Sequence, residues 1–163
     1  MPLDTVLIVE DCEPTALAYE SFLDDCEVSI AADLHSASKL ITERPPSLVL
    51  LDVQLPDGNG IEFVESLRND GHRFPVIVIT SDSSIQIAVE AIRAGANDFL
   101  EKPFSCKRLQ TTVHNTLETS RLDTLVRDYE KSGEDRCQFE GFIGKSLPMQ
   151  TVYNMVEAAA SLA

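Results

Sequence analysis

Leu48-Val49-Leu50-Leu51-Asp52-Val53-Gln54-Leu55-Pro56-Asp57-Gly58 is the stretch on which the fold turns. Four apolar residues run without alternation into one carboxylate, and a Pro-Asp-Gly turn signal follows. An unbroken Val/Leu run of strand length marks a strand covered on both faces, as in a parallel sheet; a half-exposed strand alternates. Outward from this centre, Val6 to Val9, Val28 to Ala31, Val76 to Ile79 and Asp98 to Leu100 are runs of similar character. Three of them lead into residues that can handle phosphate: Glu10-Asp11, Thr80, and Lys102-Pro103.

Helix-period segments fill the gaps. Gly60, Phe63, Val64 and Leu67 fall at i, i+3, i+4, i+7, as do Ile85, Ala88, Val89 and Ile92, with Gly95 as a C-terminal stop. Ala37, Leu40 and Ile41 mark a shorter helix ended by Pro45-Pro46, and Pro14 suits an early helical position. Five strand–helix units with short joints predict an α/β, doubly wound, five-stranded parallel sheet. The domain is expected over residues 1–120. The last helix begins near Ser105, carries Leu109, Val113 and Leu117 inward, and continues through Leu122, Leu125, Val126 and Tyr129. That second stripe lies beyond the fifth unit. It either meets a second copy in a short coiled coil or folds back on its own domain. Residues 121–138 read as a helical linker, polar and Gly-containing at Ser132-Gly133-Glu134-Asp135-Arg136. A new unit is expected over 139–163, where Met149, Val152, Tyr153 and Val156 form another helical stripe that stops in mid-fold, as in a fragment of a longer chain.

Composition narrows the function. The chain has 163 residues, 13 Lys+Arg against 27 Asp+Glu, and a formal net charge of -14, which disfavours direct binding to nucleic acid or an anionic membrane. Cys12, Cys26, Cys106 and Cys137 have no metal-ligand spacing, and His35, His72 and His114 lie apart. Free thiols, no signal-peptide pattern and no membrane-length apolar run point to a cytoplasmic protein.

In an open parallel sheet, ligands bind beyond the carboxyl ends of the strands where the winding direction reverses. Glu10, Asp11 and Asp52 converge there. Three close carboxylates call for a hard cation, and with a backbone carbonyl, expected from Gln54, they make a Mg²⁺ site. Asp52 can then attack a phosphoryl group to form an acyl phosphate, with Lys102 neutralising the phosphoryl oxygens. Thr80 offers a hydroxyl to the new phosphate, and Phe99 can enter the space that Thr80 leaves. Each residue alone has a plainer reading: Glu10-Asp11 as helix caps, Asp52 as a turn residue, Thr80 as a β-branched strand residue, Lys102 as a solvated lysine. It is their joint order that favours the phosphoryl site.

The same pieces resemble the receiver domain of two-component response regulators: Leu7-Ile8-Val9-Glu10-Asp11, Leu50 to Gly58, Val78-Ile79-Thr80-Ser81, Ala94-Gly95-Ala96, and Asp98 to Phe104. The resemblance implies a flavodoxin-like sheet in the order 2-1-3-4-5. It makes Asp52 the phospho-acceptor; Glu10, Asp11, Asp52 and the Gln54 carbonyl the metal ligands; Thr80 and Phe99 the switch pair; and Lys102 the phosphate contact. It also implies a cis bond at Lys102-Pro103 and a histidine kinase or histidine phosphotransfer protein as donor. Gly141 to Gln150 resembles the entry to the AAA+ domain of sigma-54-dependent activators of the NtrC type, including LuxO-like quorum-sensing regulators. Contact with sigma-54 RNA polymerase and DNA would then belong to domains absent from this chain. Gly144-Lys145-Ser146 is not a P-loop, because Phe139 stands where the first glycine is needed. A multiple-turnover enzyme is not expected. The competing classes are an aspartyl-phosphate phosphatase or phosphotransferase, for which Gln54 stands where a general acid is wanted, and an interaction module that is never phosphorylated.

Overall fold

The structure, a computed structural model, describes residues 2–134, with side chains to Lys131. By contacts the chain divides into Met1–Ser120 and Arg121–Ala163. In the first unit β1 (Thr5–Val9), α1 (Glu13–Phe22), β2 (Glu27–Ala31), α2 (Leu34–Glu43) and β3 (Leu48–Asp52) lead to a two-residue hairpin, β4 (Gln54–Leu55) and β5 (Gly58–Asn59). Then follow α3 (Gly60–Asn69), β6 (Val76–Thr80), α4 (Ile85–Ala94), β7 (Asp98–Glu101) and α5 (Cys106–Glu134). The main sheet is parallel in the order β2-β1-β3-β6-β7, which is the expected 2-1-3-4-5 once the hairpin is set aside.

Side-chain alternation along buried strands divides the core into two layers. Leu7, Val9, Val49, Leu51, Val76 and Val78 face the layer with Ala37, Ile41, Val64, Leu67 and Ala91 of α2, α3 and α4. Val6, Ile8, Leu48, Leu50, Ile77 and Ile79 face Ala16, Tyr19 and Leu23 and, from α5, Leu109, Val113 and Leu117. The two central runs, β3 and β6, are buried throughout, as their composition predicts, whereas the edge strands β2 and β7 are half exposed.

One expectation is corrected. Helix α4 forms and stops at Gly95, which is left-handed at φ 110°. Its packed face, however, is Ile87, Ala91 and Ala94, while Ile85, Val89 and Ile92 are exposed. Gln86, Glu90 and Arg93 take up one narrow side of α4, and the wide apolar remainder satisfies more than one phase, so periodicity alone chose the wrong face. Ser132, Gly133 and Glu134, within the expected helical linker, continue α5; a single glycine costs a helix only about 1 kcal/mol. Asp135, Arg136 and the stretch from Phe139 onward lie outside the described residues. Leu122, Leu125, Val126 and Tyr129 are all exposed. Among the described residues no helix is long and apolar enough to cross a membrane.

Candidate functional site

Asp52 is the last residue of β3, paired with Ile79 of β6 and 7% exposed. Burial of the whole β3 run forces its carboxylate out at the sheet end. Glu10 follows β1; its N–H donates to Ala31 O at 3.0 Å, and its Oε1 accepts the Cys12 N–H at 3.3 Å. The N-cap of α1 is Cys12, with Pro14 in the first turn, so capping does not account for Glu10. Lys102 follows β7 and extends the ladder through its N–H to Thr80 O at 2.8 Å. The Lys102–Pro103 peptide is cis, and Phe104 stacks on Tyr19 of α1 with ring centroids 5.2 Å apart.

These placements converge. Lys102 Nζ donates to Glu10 Oε2 at 2.8 Å and to Asp52 Oδ2 at 2.6 Å. The other Asp52 oxygen, Oδ1, accepts the Gln54 N–H at 2.9 Å. Carboxylate oxygens of Glu10, Asp11 and Asp52 lie within 4.8 Å of one another. They border a cleft of about 350 Å³ completed by Gln54, Leu55, Pro56, Ser81 and Lys102. Burial raises the Glu10 pKa, the hydrogen bond from Lys102 opposes that, and the Asp52 charge adds to it. Burial pulls Lys102 the other way, but its bonds to Asp52 and Glu10 prevail and hold the ammonium above the ordinary lysine range. Tyr19 is pushed up to about 12, first by burial, with the neighbouring Glu10 and Asp52 charges adding to it. Three carboxylates against one ammonium leave two negative charges in a partly enclosed, all-oxygen site. That donor set suits a hard divalent cation.

The switch candidates stand apart from this centre. Thr80 is buried at the end of β6, its hydroxyl accepts the Asp82 N–H at 3.0 Å, and it does not line the cleft. Phe99 lies beside Val78 on the edge strand and is 37% exposed. Sequence reasoning gave no role to Ser81, which does line the cleft, nor to Tyr19. The available signal for Ser81 was its place one residue beyond the β6 strand end; for Tyr19 it was an aromatic at i+3 from Ala16 on the packed side of α1.

A doubly wound sheet whose first, third and last strand ends bring three acids and a lysine together defines a receiver-type domain. The chain belongs to that family: the sequence model described as the response regulator receiver domain matches residues 6–114. It is 36% identical to the regulatory protein LuxO of Vibrio cholerae over 156 residues, which is 94% of this chain and 33% of LuxO. The signal receiver domain of a LuxO repressor protein from Vibrio parahaemolyticus superposes with a TM-score of 0.73 at 32% identity, covering 76% of this chain and 97% of that one. NtrX from Brucella abortus, crystallised with ADP, gives a TM-score of 0.75 at 33% identity, covering 96% of this chain and 35% of NtrX. The chain therefore spans about a third of the length of the full-length relatives it matches.

Proposed function

We propose that this chain is the phosphorylation-controlled input of a two-component or phosphorelay regulator, with Asp52 as phospho-acceptor. The observation that carries the reading is Lys102 Nζ held between Glu10 and Asp52 at 2.8 and 2.6 Å, with Asp11 beside them. The donor is a phosphohistidine of a histidine kinase or histidine phosphotransfer protein. An Asp52 carboxylate oxygen attacks phosphorus, the P–N bond breaks, and the imidazole nitrogen keeps the electron pair and is protonated, leaving an acyl phosphate on Asp52. Glu10, Asp11, Asp52 and the Gln54 carbonyl are the residues that would hold Mg²⁺. When bound, the ion supplies charge neutralisation for the acid cluster and for the phosphoryl oxygens. Lys102, already aimed at Asp52, exchanges a carboxylate oxygen for a phosphoryl oxygen without crossing the site.

The new group adds about one and a half to two negative charges. The Thr80 hydroxyl accepts the Asp82 N–H and keeps its own proton to donate to the new group, so turning toward the phosphoryl oxygens carries that contact with it. That movement passes to the loop leading into α4, and Phe99 fills the space left at the edge. The exposed stripe Leu122, Leu125, Val126 and Tyr129 supports a homodimer contact as the output. The resemblance of Gly141 to Gln150, together with the longer LuxO and NtrX relatives, supports an attached sigma-54 activator ATPase as the effector. The reaction is self-modification and self-dephosphorylation in the cytoplasm, without multiple turnover of an external substrate. Intact-mass analysis after incubation with Mg²⁺ and acetyl phosphate checks it: wild type gains one phosphoryl group and Asp52→Asn gains none. Undiminished labelling of Asp52→Asn would reject the assignment.

A further inference from the structure

One wall of the cleft is a hairpin with no core of its own. Gln54 of β4 pairs with Asn59 of β5 and Leu55 with Gly58, leaving Pro56-Asp57 at the tip. Gln54, Gly58 and Asn59 are exposed and Leu55 is half buried. A two-stranded pair this short does not stand by itself. Yet Gln54, Leu55 and Pro56 all line the site.

The hairpin's base is closed by the Gly60 N–H to Val53 O, and Leu55 leans on the core; the tip is held by a clasp to α2. The Leu34 N–H donates to Asp57 Oδ1 at 2.9 Å and the His35 N–H donates to Asp57 Oδ2 at 3.0 Å. These are first-turn amides of α2, which its own helical ladder leaves unpaired and whose dipole favours an anion. The helix's own cap, Asp33, is engaged elsewhere, accepting the Ser36 N–H at 2.7 Å. Gly58 presses on the same turn: a Cβ there would lie 2.9 Å from Leu34 Cδ1. Leu34 in turn packs against the core layer beneath α2.

We infer that Asp57 is a positioning residue for the phosphoryl site, fixing the β4–β5 hairpin to α2 so that Gln54, Leu55 and Pro56 stay against the acid cluster. The inference rests on the reading above, in which Gln54 offers its backbone carbonyl to the metal. Coupling of this kind is reciprocal. A divalent ion drawing on the hairpin tightens the first turn of α2, and loss of the clasp weakens ion binding.

The test is Mg²⁺ titration by calorimetry of wild type, Asp57→Ala, Asp57→Asn and Asp33→Ala, with amide hydrogen exchange read at Leu34 and His35. Wild type binds Mg²⁺, and binding slows exchange at both amides. Asp57→Ala weakens Mg²⁺ affinity by about tenfold, the low end of the effect of outer-shell partners. Asp57→Asn keeps an acceptor oxygen and loses less. Asp33→Ala uncaps the same helix turn without touching the hairpin and keeps wild-type affinity. Equal affinities in Asp57→Ala and wild type overturn the inference. So does an equal loss in Asp33→Ala, which reduces the effect to damage in α2, or Leu34 and His35 exchange that ignores Mg²⁺. A wild type that takes up no Mg²⁺ overturns the functional reading, and this inference with it.

Discussion

Helices α3 and α4 have the same length and lie against the same core layer, yet they are held in opposite ways. Helix α3 buries Gly60, Ile61, Val64 and Leu67; α4 buries only Ala91. The start of α3 is locked to the site: the Gly60 N–H donates to Val53 O at 2.8 Å, and Asn59 caps through the Ile61 N–H at 2.8 Å. The start of α4 is loose. Its Ser84 cap accepts the Ile87 N–H at 3.4 Å, and Ile85 is 81% exposed. The start of α4 is held by Ile87 against the core and by the Ser84 N–H to Asp82 Oδ1 at 2.8 Å, whereas its far end is tied to α3. Arg68 of α3 donates Nε and Nη2 to Gly95 O at 3.1 and 3.0 Å, and Nη1 to His72 O and Phe74 O. A new charge on Asp52 would therefore meet a fixed wall at α3 and, beyond Thr80, a helix firmly anchored at one end only. On the proposed function, the contrast assigns the lever to the first half of α4, with its pivot expected near Gly95.

The largest expected effect comes from breaking the fixed wall. A Cβ on Gly60 would sit 2.2 Å from the Asp52 backbone oxygen and 3.1 Å from Val53 Cα, with backbone on both counts and no flexible side chain to yield. Gly60→Ala is expected to cost about 3 kcal/mol, the upper range for overpacking, and to displace Asp52. Urea unfolding reads the first consequence and acetyl-phosphate labelling the second. A Gly60→Ala protein with native stability and labelling would show that the α3 side gives way after all.

Next in size is the direct test of the two helices. Val64→Ala empties a fully buried site on α3 and is expected to cost about 2 kcal/mol. Val89→Ala on α4, 41% exposed, is expected to cost about 0.5 kcal/mol, as surface changes do. The same chemical change measured by the same urea midpoint separates the walls. Equal losses would mean that α4 is seated as firmly as α3, and the pivot would have to be abandoned.

How much of this was legible in the sequence follows from the same contrast. Buried strands announce themselves because both faces must be apolar, so β3 and β6 emerge from Leu48–Leu51 and Val76–Ile79 and the doubly wound parallel sheet from the winding rule, while the strand order came from the receiver-domain resemblance. Helix α3 reads correctly because its apolar stripe opposes a polar face. Helix α4 does not: Ile85, Ile87, Ala88, Val89, Ala91 and Ile92 satisfy more than one phase, and only tertiary packing selects Ile87, Ala91 and Ala94. The acids and Lys102 were legible because each stands at, or within two residues past, the end of a strand. The Thr80–Asp82 bond, the Tyr19–Phe104 stack and the Asp57 clasp were not. Each joins residues by side-chain direction or across distant chain segments, and neither propensity nor period carries that information.

The smallest effect is electrostatic, and it distinguishes the charged, fixed side of the site from α4 by pH. Glu10 is buried beside Asp52, and that burial raises its pKa in the folded state despite the bond from Lys102. A raised carboxylate pKa means that the folded state holds the proton more tightly than the unfolded chain. Glu10's contribution is thus most favourable below the ordinary value of 4.5 and is lost as pH rises through its folded pKa. Glu10→Gln removes that cost while Asp52 still pairs with Lys102. Without Mg²⁺ the variant is expected to be more stable than wild type at pH 7 by up to about 1 kcal/mol, the usual scale of a single change. The gain shrinks on acidification and disappears below the ordinary carboxylate range. With Mg²⁺ the order reverses, because wild type retains a ligand that the variant lacks and gains stability from binding. Urea midpoints across pH, with and without the ion, check both arms. Were Glu10→Gln the less stable form at pH 7 without Mg²⁺, the Lys102 pair would outweigh burial, and the fixed wall would be neutralised before any cation arrived. Val89→Ala, with no carboxylate removed, should shift the urea midpoint by the same amount at every pH, so any pH-dependent difference from wild type belongs to the site and not to the lever.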